Sequence, residues 1–93
     1  MSIFWIQGSL DITNVTKRLD QAKKVLVREC GLALDLTRVT WIDSAGLAGL
    51  VQLLADAKAL GAELRLTGAS AAVIRALDCA KLDKLFPVRD QLD

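Results

Sequence analysis

The chain has 93 residues, 53% of them hydrophobic, with 12 basic against 11 acidic side chains and a formal charge of +1. That length holds one core with little stability to spare; a second domain is not expected, and the near-neutral charge supplies no field of the kind that draws nucleic acid. No apolar run approaches the roughly 18 residues of a membrane span, and the start lacks the pattern of a secretory signal, so direct membrane insertion is not expected and a cytoplasmic location is.

Ile3 to Gln7 read as a strand closed by Gly8. A helix is predicted from about Thr13 to Arg28, with Val15, Leu19, Ala22 and Leu26 toward the core and Lys17, Arg18, Lys24 and Arg28 on a solvated face. After a turn at Gly31, Leu32 to Leu36 form a short apolar strand buried on both faces, followed by a turn over Thr37-Arg38-Val39-Thr40 and a loop carrying Trp41. Cys30, and Cys79 far from it, lack C-x-x-C companions and read as buried free thiols; with no histidine in the chain, no metal site is expected.

The central helix is predicted over residues 44–60, with Asp43 as its N-cap and Gly61 as its stop. Leu47, Leu50, Val51 and Leu54 fall on one stripe at helical spacing, which predicts the core face, while Ala45, Ala48, Gly49 and Gln52 share another side. Glu63 to Thr67 read as a strand, Gly68-Ala69-Ser70 as a turn and cap, Ala71 to Asp78 as a helix, and Leu85 to Val88 as a last edge strand around Pro87. Strands alternating with helices predict an α/β sheet with right-handed crossovers.

The informative stretch is Trp41-Ile42-Asp43-Ser44-Ala45-Gly46-Leu47. It places Ser44 at a helix start, where the dipole and unfilled amides favour a negative charge, so a phosphate on Ser44 or an anionic partner group beside it would be accommodated. Gly49 costs a helix about 0.5–1 kcal/mol relative to Ala, which suggests a face kept low for close approach of another backbone. We therefore expect a partner interface of Ser44, Trp41, Asp43, Ala45, Ala48, Gly49 and Gln52, the alternative being packing against a helix of the same domain. An enzyme is not expected: Ser44 has no histidine to serve as base, Asp43 reads as a cap, and neither a Gly-rich phosphate loop nor any other cofactor motif is present.

Asp43-Ser44-Ala45-Gly46-Leu47 after the strand Leu32–Leu36, together with Gly8-Ser9-Leu10-Asp11 and Gly61-Ala62-Glu63-Leu64, resembles the signature of the STAS domain. The resemblance implies a mixed sheet of about four strands covered by helices. Two departures stand out: many members carry an extra strand before the Gly-x-Leu-Asp segment and a long final helix, whereas few residues here precede Gly8 or follow the last strand. The edges so left could accept a partner or a second copy as a homodimer.

Two partner classes follow from the resemblance. Asp43 to Ala48 are similar to the small STAS subunits of bacterial Mla (maintenance of lipid asymmetry) phospholipid ABC transporters, which implies docking on a cytosolic ABC ATPase at the inner face of the inner membrane. The alternative is an anti-sigma factor antagonist, in which the residue matching Ser44 is phosphorylated by an anti-sigma factor kinase. Antagonists usually carry a second hydroxyl where this chain has Ala45, so the transporter subunit is the reading the sequence favours.

Overall fold

The computed structural model describes residues 2–81, which form β1 (Ile3–Leu10), α1 (Val15–Glu29), β2 (Gly31–Ile42), α2 (Ser44–Leu60), β3 (Glu63–Ala69) and α3 (Ala71–Cys79). The strands lie side by side in the order β1-β2-β3, with both pairings parallel. Parallel neighbours joined by right-handed crossovers put successive helices on the same side of the sheet. Accordingly α1 and α2 pack against each other and on β2, while α3 packs chiefly on β2. The expected α/β arrangement is present, and among the described residues the sheet is three-stranded and parallel. The predicted strand at Leu85–Val88 lies outside the described residues.

β2 is the central strand, and its first half shows why it reads as apolar throughout: Leu32, Leu34 and Leu36 are fully buried, and Ala33 and Asp35 nearly so. It does not stop at Leu36. The stretch Thr37 to Thr40, expected as a turn, continues the strand as far as Ile42, and Trp41 lies in it opposite Ser9. The Asp-x-Thr segment does make a local turn-like contact, with Asp35 Oδ1 accepting from the Thr37 amide at 2.9 Å and its hydroxyl at 2.6 Å. That contact sits on a bulge, where the pairing with β1 shifts between Trp5 and Gln7, and the ladder resumes beyond it.

On α1 the exposed basic face and the buried Val15, Leu19, Ala22 and Leu26 fall as the periodicity predicts. On α2 the stripe differs. Gly46, Leu50, Leu53 and Ala57 are buried, whereas Leu47, Val51 and Leu54 are only half-buried and pack against the core from its flank. A helix this apolar on all sides gives its period little power to choose a face, and the positions of α1 and the sheet choose it instead.

Both cysteines are free and exposed rather than buried. Each ends a helix, Cys30 as the left-handed C-cap of α1 at φ 56° and Cys79 as the last residue of α3, where the side chain leaves the packed face.

Candidate partner-binding site

The start of α2 meets the β1–α1 loop at one carboxylate. Asp43 holds an extended backbone, and its Oδ1 accepts from the Gly46 amide at 2.8 Å, the N-cap bond that its sequence position predicts. Its Oδ2 accepts from the Ile12 amide at 3.2 Å. A single side chain therefore caps the helix and ties down a loop 31 residues earlier.

Gly46 lets this happen. A Cβ on it would lie 2.4 Å from the Leu10 carbonyl oxygen and 2.8 Å from Ile42 Cγ1, so only a residue without one lets the first turn of α2 close on the end of β1. The glycine of the Asp-Ser-Ala-Gly-Leu signature is a packing requirement.

The β1–α1 loop is bonded internally. Asp11 Oδ1 accepts from the Thr13 amide at 2.9 Å and from the Thr13 hydroxyl, Asn14 Oδ1 accepts from the Asp11 amide at 3.0 Å, and Asn14 Nδ2 donates to the Ser9 carbonyl at 3.0 Å. The Thr13 hydroxyl, aided by the Thr13 amide and opposed by slight desolvation, holds the Asp11 carboxyl below the usual carboxylate range. The loop presents Ile12, 74% exposed, beside the Asp43 contact. Ile12, Asp11 and Thr13 are absent from the partner interface expected from sequence; the signal was an isoleucine set between two turn-forming side chains, Asp11 and Thr13.

Ser44 is the first residue of α2 and is exposed. Among the described residues its hydroxyl has no hydrogen-bond partner and the amides of Ser44 and Ala45 have no acceptor, because Asp43 serves Gly46 and the helix ladder begins at Leu47. An exposed hydroxyl with two unfilled amides at the positive end of a 17-residue helix can accept a phosphate or face an anionic or polar group of a partner.

The residues expected beside Ser44 fall into two rows. Ser44, Ala48 and Gln52 follow one another at four-residue spacing and are exposed, with Gln52 Nε2 donating to Asp56 Oδ1 at 3.0 Å. Ala45 and Gly49 lie one row over: Ala45 packs against the core, and a Cβ on Gly49 would sit 2.5 Å from Val15 Cγ2 and 2.6 Å from Leu19 Cδ1. The small face is therefore not turned outward as a whole, and Gly49 serves the close approach of α1. Trp41 is 55% exposed, at the end of β2 rather than in a loop.

A family model for the STAS domain matches residues 1–93. The chain belongs to the STAS-domain family. Among solved structures, an anti-sigma factor antagonist from Mycobacterium paratuberculosis is similar at a TM-score of 0.76 and 25% identity, over 98% of this chain and 78% of that one. The unphosphorylated form of the anti-sigma factor antagonist SpoIIAA is similar at 0.74 and 14% identity, over 97% and 81%. The STAS domain of a SulP transporter from Vibrio cholerae is similar at 0.65 and 19% identity, over 96% and 74%. The two lower identities speak for the STAS fold alone. Among the described residues of this STAS domain, no helix is long and apolar enough to cross a membrane, and no cluster of metal-ligating side chains occurs.

Proposed function

We propose that this STAS domain is a non-enzymatic regulatory protein that binds a nucleotide-using partner through the corner formed by Ser44, Ala48 and the Ile12 loop, in the manner of an anti-sigma factor antagonist. One observation carries the reading: Ser44 is exposed at a helix start whose capping duty belongs to Asp43, so its hydroxyl is free to be modified or recognised. Likeness to the Mycobacterium paratuberculosis antagonist over nearly the whole chain supports it. On this reading the partner is an anti-sigma factor kinase, and a phosphate placed on Ser44 would add negative charge in the middle of the contact and release the partner.

A second reading, a subunit that supports the cytosolic ATPase of a phospholipid ABC transporter, is favoured by one feature. Ala45, half-buried against the core, stands where antagonists usually carry a second hydroxyl. There Ser44 would serve as a small polar contact, and no kinase would be needed.

One pair of measurements separates the two. Incubation with a cognate anti-sigma kinase and ATP should add one phosphate to the wild type and none to Ser44→Ala, and the phosphorylated protein should lose its partner. If instead no phosphate is added while turnover by a purified ATPase–permease complex rises with the wild type and not with Ser44→Arg, the transporter reading replaces the antagonist.

A further inference from the structure

Among the described residues the most exposed large apolar side chain is Ile12, at 74% against 47–55% for Ile3, Trp5, Val27, Trp41 and Leu60. Ile3, Val27 and Leu60 lie at the pole where strands begin and helices end. Ile12 shares the opposite pole with Ser44, between the end of β1 and the start of α1.

A single isoleucine in water is ordinary on a protein surface. What sets Ile12 apart is the backbone beneath it. Every amide from Asp11 to Val15 has an acceptor: Asn14 Oδ1 for Asp11, Asp43 Oδ2 for Ile12, Asp11 Oδ1 for Thr13, and the Asp11 carbonyl for both Asn14 and Val15, at 2.8–3.2 Å. The loop is thus fixed before any partner arrives, and fixed to the carboxylate that caps the helix of Ser44. A mobile loop would lose ordering entropy on binding and could fold its isoleucine back onto the core; this one holds the side chain out at no further cost. Ser44 and Ala48, by contrast, bring one hydroxyl and one methyl group, which leave little apolar area to remove from water.

We propose that Ile12 is the anchor of the partner contact: it enters an apolar pocket on the partner protein and supplies the affinity, while Ser44 beside it supplies the regulation. The inference rests on the reading of the Ser44 corner as the partner surface. It also gives that reading a cause for release, since a phosphate dianion on Ser44 would have to shed its water at the margin of a dehydrated apolar pocket.

The test uses the full chain, a cognate anti-sigma kinase and ATP. Burying an isoleucine completely corresponds to roughly ten- to hundredfold in binding, and burying one methylene to about fourfold. Ile12→Val should therefore raise KM for phosphorylation of Ser44 about fourfold and Ile12→Ala at least about tenfold, with kcat within about twofold of wild type and the urea midpoints unchanged. Unchanged KM in both variants would overturn the proposal. So would a fall in kcat alone, which would make Ile12 a residue that positions Ser44. If the wild type takes no phosphate, the antagonist reading fails separately, and the same variants are titrated against the purified ATPase–permease complex. A graded loss of affinity there supports the anchor; equal affinity, or no binding of the wild type, overturns it.

Discussion

Two serines stand at helix starts in this molecule, and the structure uses them differently. Ser70 is the N-cap of α3: it is half-buried, its Oγ accepts from the Val73 amide at 3.2 Å, and its own amide donates to the Leu36 carbonyl at 3.0 Å. Ser44 lies one position further in on α2, behind an aspartate that has already taken the capping role, and its hydroxyl is exposed. The first serine is spent on stability. The second is available for recognition, and what frees it is the residue before it.

The comparison can be broken most forcefully by moving the platform on which Ser44 stands. Gly46→Val sets a branched side chain against the Leu10 carbonyl, a backbone group that cannot give way as a side-chain tip can. Overpacking of this kind costs about 3 kcal/mol or more, read as a lower midpoint in urea unfolding, with partner binding lost alongside. Gly49→Leu should cost about 1–3 kcal/mol by forcing α1 from α2, whereas Ala48→Leu, one residue away on the exposed row, should stay within about 0.5 kcal/mol and still block the partner. Equal stability losses for the two would show that the rows are not distinct.

The serines themselves give a smaller and sharper contrast. Ser70→Ala should lower stability by about 1 kcal/mol and leave partner binding unchanged. Ser44→Ala should leave stability within about 0.5 kcal/mol, by the same urea titration, while changing the response of the complex to ATP. A stability loss at Ser44 as large as that at Ser70 would mean that its hydroxyl caps the helix after all.

The smallest effect belongs to the loop beside Ser44. The Asp11 carboxyl is held below its ordinary range by the Thr13 hydroxyl, so its folded-state pKa is lower than its unfolded one. Its contribution is therefore complete above the unfolded carboxylate pKa of about 3.9 and is lost as pH falls through the lower, folded-state value. Asp11→Asn should flatten the acid side of the stability profile below about pH 4 and leave the neutral region unchanged in slope. An identical acid limb in the variant would show that the Thr13 bonds do not persist in solution.

Much of this architecture was legible before any coordinates. The caps at Asp43 and Ser70 are local signals, each a side chain accepting from an amide three residues on, and so is the stop at Gly61, where a left-handed glycine turns its amide back to the last carbonyls of the helix; all three stand where the sequence puts them. The basic face of α1 was equally legible, because its polar and apolar residues separate cleanly by period. The length of β2 was not. Asp35 and Thr37 make the contact of a turn, yet the strand runs on because β1 offers it a partner beyond the bulge. Nor could the sequence assign the faces of α2, where apolar residues lie all round and only the approach of α1 turned Gly49 inward while leaving Ala48 outside. Ile12 joined the site through a bond to Asp43 that spans 31 residues. Sequence alone determined where the elements begin and which helices are capped, since those depend on neighbours in the chain. Tertiary structure decided how far a strand extends, which face of an apolar helix is buried and which loop meets Ser44, since those depend on partners that only folding brings within bonding distance.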